Sequence, residues 1–203
     1  MNTLKFLRSL SLLGVVCLSL LAGTASAQNQ QKEIMDLLRS RDAEIKKVLS
    51  GGDVDAQEKE KLKDLINDEI DFRAMGAAAL GSHWEPLTAE QRDHFVSVFG
   101  GIVRSQSVGD LEVYKSPVSY GKITVNADTA TVNTTITYKE EPATVVYKLL
   151  YHDKKWWVAD IILNDVSTVA GYARSFQSVV RKKGFDVLMS KLEEKLASTE
   201  AVG

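Results

Sequence analysis

One cysteine, three prolines and no apolar run beyond the first 27 residues that approaches a membrane span: these scarcities set the first bounds on the 203-residue chain. A bilayer-crossing helix needs about 20 consecutive apolar residues. The single cysteine, Cys17, lies inside an N-terminal apolar stretch. A chain processed after that stretch has no thiol, which excludes a disulfide framework, a thiolate metal site and a cysteine nucleophile. An excess of positive charge is also missing, with 25 basic against 27 acidic residues. A basic nucleic-acid footprint is therefore absent. There is no G-x-S-x-G elbow, no G-x-x-x-x-G-K loop and no H-E-x-x-H helix, so the common hydrolase, nucleotide and zinc-protease signatures are lacking.

The N-terminus has the form of an export signal. Lys5 and Arg8 form a basic start, Ser9 to Leu21 an apolar run, and Ala25-Ser26-Ala27 a small-residue cleavage site. The expected division is a cleaved signal peptide, 1–27, and a single domain, 28–203, soluble after cleavage; an uncleaved N-terminal anchor is the alternative. Without Lys5 and Arg8 the remaining charge is 23 basic against 27 acidic. The 176 residues left are enough for one sizeable core.

The hydrophobic period changes twice along that domain. Ile34, Leu37, Leu38, Ile45, Val48 and Leu49 repeat at helical spacing over 30–49, and Gly51-Gly52 ends the run. A second helix is expected over 56–70 and a short one over 72–80, capped by Asp71 and ended by Gly81. Thr88-Ala-Glu-Gln91 has the form of a capping box. It opens a helix to about Ser107 that carries Phe95, Phe99, Ile102 and Val103 on one face and two adjacent glycines, Gly100-Gly101. The period then becomes two. Val118–Val125, Ala130–Tyr138, Val145–Tyr151 and Trp156–Ile162 read as four consecutive antiparallel strands, the third and fourth apolar on both faces. A sheet covered on both sides is the expectation. Helices over about 166–183 and 185–198 close an α+β domain.

Chemistry-bearing residues are few. His83, His94 and His152 are not at metal-ligand spacing and read as surface residues. Asp160 lies mid-strand on an apolar face, where an unpaired carboxylate is costly. Arg174 on the next helix is its expected partner, in a structural ion pair. An enzyme would need a second acid or base beside Asp160, and the pattern supplies none; no catalytic residue, cofactor or metal is assigned. The apolar faces of the central helix and the sheet leave both a filled core and a ligand cavity open.

Two segments carry a family resemblance. DFRAMGAAALGSHWEPLTAEQRDHFVSVF, 71–99, is similar to D-F-x-x-M, L-G-x-x-W and T-x-x-Q-R-x-x-F-x-x-x-F in order. VVYKLLYHDKKWWVADIILNDVSTVAGYARSFQSVVRKKGFDVLMSKL, 145–192, is similar to Y-x-L, W-x-V-x-D, V-S-x-V and Y-x-x-x-F followed by K-G-F-x-x-L. Together they resemble the MlaC, or toluene-tolerance auxiliary, family. The resemblance implies a cystatin-like, nuclear-transport-factor-like fold, a curved sheet wrapped by helices around an apolar cavity. It implies a periplasmic phospholipid carrier that partners an inner-membrane ABC transporter complex and an outer-membrane lipoprotein complex to maintain outer-membrane lipid asymmetry. A branch of this architecture serves hopanoid-type lipids, and a ligand-free exported interaction module is the other alternative. The lipid-binding residues expected on this basis are Phe95, Phe99, Ile102 and Val103 from the helix, Val145, Tyr147, Leu149 and Val158 from the sheet, and Phe176. Trp84 is expected at the entrance, and Gly100-Gly101 where an acyl chain or another helix comes close.

Overall fold

Two-residue turns organise the middle of the chain. Lys139-Glu140, Asp153-Lys154 and Asn164-Asp165 all have positive φ at both positions, the backbone that matches the twist of antiparallel strands. In the computed structural model, which describes residues 16–200 and side-chain surroundings over 27–199, they join β2 (Thr129–Tyr138), β3 (Glu141–His152), β4 (Lys155–Leu163) and β5 (Val166–Ser167). With β1 (Val118–Asn126) they form one antiparallel sheet in sequential order. Register shifts between Tyr120 and Ile123 and between Lys148 and Leu149 interrupt the ladders. Such bulges raise local twist and curve a sheet.

The helices frame this sheet in sequence. α1 (Val16–Leu49), α2 (Ala56–Asn67), α3 (Phe72–Leu80), a 3-10 turn (Gly81–His83), α4 (Ala89–Ser107) and the single-turn α5 (Glu112–Lys115) precede it. α6 (Thr168–Lys183) and α7 (Phe185–Glu200) follow. Caps account for several starts. The Asp55 side chain accepts from Glu58 N and Thr88 from Gln91 N, both in full capping boxes, while Asp71 accepts from Ala74 N. Each such cap satisfies helix-end donors and stabilises by about 1 kcal/mol. No described helix is long and apolar enough to cross a membrane. The basic start of the expected signal segment lies outside the described residues.

Four sequence expectations change. α2 stops at Asn67 because its exit becomes strand-like: Val158 N donates to Glu69 O at 2.7 Å and Asp71 N to Val158 O at 2.9 Å. Residues 166–167 form a fifth strand instead of the first turn of α6. α5 carried no recognised signal, since four residues are too few for a helical period. The sheet is also less covered than expected. Ala143, Val145, Leu149, Trp156 and Val158 are buried on the helix-facing side, whereas Val146, Leu150, Trp157 and Ile162 on the other are only partly buried. That outer face shields itself by cross-strand pairing, with Val146 opposite Ile162 and Leu150 opposite Trp157. Lys155 lies over the Trp157 ring at 3.6 Å, and His152 stacks on it.

The glycine pair serves helix packing. A Cβ on Gly100 would lie 3.3 Å from the Phe72 ring, and one on Gly101 2.9 Å from Leu196 Cδ1. The absent side chains let α3 and α7 approach α4, so of the two close approaches expected at this pair it is the neighbouring helices that occupy the space.

Candidate functional site: an apolar cavity between helices and sheet

The buried apolar residues fall into three clusters. The largest joins α3, α4, α6 and α7 to the sheet through Phe95, Phe99, Phe176 and Leu149, among others. A second holds Ile45 and Leu49 of α1, Leu62 of α2 and Val108. A third, Ile136, Ala143 and Val145, occupies the end of the sheet beside α5. Between them lies a partly open cavity of about 310 Å³.

Every cluster gives the cavity a wall. Leu37, Leu38 and Ile45 come from α1, Leu65 and Ile66 from α2, and Val113 and Tyr114 from α5. The sheet supplies Val118 and Tyr120, Ile136, Val145 and Tyr147, and Val158, Ile161 and Leu163. Val145 and Tyr147 on β3 and Ile161 and Leu163 on β4 alternate as the pleat requires, and the register shift opposite Lys148 and Leu149 brings Val158 to the same side. Leu163 is 49% exposed and yet part of the wall, which places an opening at the β4–β5 turn.

Charge is confined to one side. Arg41, Asp42 and Glu69 also line the cavity. Glu69 Oε1 accepts from Arg41 Nε at 3.2 Å and Nη2 at 2.7 Å, and Lys155 Nζ lies 2.9 Å from Oε2. Burial alone would raise the Glu69 carboxyl, but the bonds to Lys155 and Arg41 outweigh it and hold the group below the usual carboxylate range. Asp42 pairs with Lys46 at 2.8 Å. Three phenols complete the lining. Burial pushes Tyr114 and Tyr120 up to about 12 and raises Tyr147 as well, with Asp42 adding to the effect on Tyr120 and Tyr147. All three therefore stay neutral hydroxyls near neutral pH. Tyr114 donates its proton to Ser107 O at 3.0 Å.

The expected binding residues divide between this cavity and the solid core. Val145, Tyr147 and Val158 lie on the cavity wall. Phe95, Phe99, Ile102, Leu149 and Phe176 are buried in the main cluster, with Val103 against it, and none of the six lines the cavity. The rings fill their own space: Phe95 stacks on Phe99 with centroids 5.7 Å apart, and Phe176 meets both edge-on at 5.9 Å. Trp84, expected at the entrance, does not line the cavity: it is 8% exposed, edge-on to Phe95 and covered by Arg92. The expected Asp160–Arg174 pair does not form. Asp160 Oδ2 accepts from the hydroxyl of Ser167, the residue that caps α6, at 2.6 Å, and Oδ1 accepts from Val169 N in its first turn at 3.1 Å, while Arg174 is exposed. The helix N-terminus supplies the partial positive charge that the arginine was expected to supply.

In the sequence Leu37, Leu38 and Ile45 stand out only as the apolar face of a helix, since wall and core residues have the same chemistry. Arg41 and Glu69 carried no signal, because nothing local distinguishes them from solvated charges. Among the described residues no cluster of three His, Cys, Asp or Glu side chains could hold a metal ion.

A greasy cleft with neutral hydroxyls and charge on one side can hold an amphiphile. The family profile described as MlaC protein matches residues 28–194. The chain belongs to the MlaC family. Among solved structures, this MlaC-family chain is similar to the phospholipid-binding protein from Ralstonia solanacearum, determined in complex with a phospholipid. The two are 24% identical with a TM-score of 0.70, and the match covers 84% of this chain and 98% of that one. The likeness establishes a common fold. No curated protein matches the chain.

Proposed function

We propose that this MlaC-family protein is a periplasmic phospholipid carrier, binding acyl chains in the cavity with the head group toward Arg41, Asp42 and Glu69. The observation that carries the reading is the apolar cavity between α1, α2, α5 and the sheet. Membership of the MlaC family and the phospholipid-bound fold relative support it. Contact with the tails is assigned to Leu37, Leu38, Ile45, Val145, Tyr147 and Val158. The protein acts by binding and release, with no bond made or broken.

A two-chain lipid carries on the order of 30 methylene groups, each worth about 0.8 kcal/mol when removed from water. The gross gain, about 24 kcal/mol, matches what a bilayer offers the same chains. Transfer between carrier and membrane is then near neutral, while escape through water is very slow. The cavity is at the low end of the roughly 300–1,000 Å³ of small-molecule sites, so a two-chain occupant requires α1 and α2 to move outward. Direction comes from docking to an inner-membrane ABC transporter complex and an outer-membrane lipoprotein complex, an exchange that maintains outer-membrane lipid asymmetry.

Native mass spectrometry of protein purified from its own envelope tests the reading. The expected result is a phospholipid mass adduct that survives gentle desolvation. A ligand-free protein, or a hopanoid-type adduct in its place, would overturn it.

A further inference from the structure

The outward face of α6 differs in charge from the rest of the molecule. Its inner face places Val169, Tyr172, Phe176, Val179 and Val180 against the main core. On its other side Ala170, Ala173, Arg174, Ser178 and Arg181 line a shallow open groove at helical spacing, while Gln177 beside them turns back to donate to Ala79 O at 3.1 Å. No acidic residue occurs from Thr168 to Lys183, whereas Arg174, Arg181, Lys182 and Lys183 do. All four cations are exposed, and among the described residues none has an ion-pair partner. The chain has a formal net charge of −2, so α6 contributes +4 to a molecule otherwise at −6.

Exposed apolar side chains accompany this charge. Leu163, Val166 and Val187 are the exposed large hydrophobic residues among those described, at 49%, 61% and 37%. They bracket α6, two at the β4–β5 turn before it and one in the first turn of α7 after it. Leu163 also belongs to the cavity wall, so one end of this surface adjoins the opening.

We propose that α6 and its flanking turns dock the protein on an anionic phospholipid surface. Arg174, Arg181, Lys182 and Lys183 meet lipid phosphates, and Val166 and Val187 enter the head-group boundary. Cations together with exposed aliphatic groups suit an interface that is charged outside and oily beneath. Docking there sets the Leu163 side of the cavity near the membrane. The net negative remainder of the protein keeps the attraction local, so orientation is a consequence of charge position.

The test uses the full chain as purified, with its native cargo, sedimented with vesicles of phosphatidylcholine alone or mixed with phosphatidylglycerol. Partition onto the anionic vesicles only, declining as salt screens the charges, is expected. Each basic residue near an anionic surface strengthens binding roughly five-fold, so R174Q/R181Q should weaken it about 30-fold. The control K122Q/K154Q makes the same change in net charge away from α6 and should leave binding near wild type. The quadruple variant R174Q/R181Q/K182Q/K183Q should lose vesicle binding while retaining its circular dichroism, since all four side chains are exposed. Failure of the wild type to partition, equal loss in the control, or retained binding in the quadruple variant overturns the proposal. Cargo is read separately by native mass spectrometry; empty protein that still partitions would sink the carrier reading and leave this one standing.

Discussion

Arg41 of α1 donates two hydrogen bonds to one oxygen of Glu69, at 3.2 and 2.7 Å, and so fastens the first helix to the α2–α3 junction beside the cavity. Glu69 is only 12% exposed in its side chain and has Lys155 on its other oxygen. Arg41→Ala therefore strips one partner from a largely buried carboxylate and is expected to destabilise by about 1–3 kcal/mol in chemical denaturation. The pH dependence has a definite sign. The folded carboxyl is held below its unfolded value, so its stabilisation is present above about pH 4.5 and is lost as pH falls through the lower folded value. Glu69→Gln should flatten that acid limb; an unchanged acid limb would show that the pair does not couple to folding.

Cavity and core should respond differently to volume. Val145→Trp places a larger side chain at the cavity wall and is expected to lower the lipid retained per protein, at a stability cost of about 1–3 kcal/mol for its overlap with Ile136 and Ala143. Phe99→Ala, in the stacked core, should cost about 3–5 kcal/mol. Lipid-to-protein ratios and melting curves measured on the two variants together check this. Equal lipid retention in wild type and Val145→Trp would remove this cavity as the tail site.

Gly101→Leu drives a side chain into Leu196 and is expected to destabilise by about 1–3 kcal/mol. Leu196→Ala in the same protein should recover part of that loss, since the two positions share one contact. A double-mutant cycle measures the coupling, and strict additivity would mean that α7 does not pack on α4 there.

Asp160→Ala removes the carboxylate that accepts from Val169 N and from the hydroxyl of Ser167, the residue that caps α6, and should cost about 1–3 kcal/mol. Arg174→Ala should leave folding stability within about 0.5 kcal/mol, as for a surface position. Equal losses in the two variants would restore an ion pair between them.

His152 gives a second pH signature. Hydrogen bonds to Asp153 and Asp71 raise its pKa above 6.5. The stabilisation is then complete below the unfolded value and is lost as pH rises through the folded one. Because His152 stacks on Trp157 with centroids 5.6 Å apart, tryptophan emission should follow the same titration. A flat emission profile from pH 5 to 8, or one unaltered in His152→Gln, would contradict the assignment.

The helices were legible wherever local chemistry marks an end. Asp71, Thr88 and Gln91 are polar groups that satisfy nearby amides, and the sequence places them beside the helices they start. The four main strands were legible because alternation and two-residue turns are local too. What escaped depended on contacts distant in the chain. Asp160 finds Val169 across the β4–β5 turn, and Glu69 meets Arg41 only after two helices have folded together. Leu65 and Leu149 are equally apolar in the sequence, yet one borders a cavity and the other lies in packed core. Hydrophobicity says that a side chain avoids water; it does not say whether another side chain will fill the space in front of it.

Main-chain bonds between Glu69, Asp71 and Val158 anchor the exit of α2 to the middle strands. Among the described residues the entrance of α2, after Gly51-Gly52, has no such main-chain bond to the sheet. Displacing α2 at its exit would therefore break main-chain bonds, whereas displacing it at its entrance would break only side-chain packing against α1 and Val108.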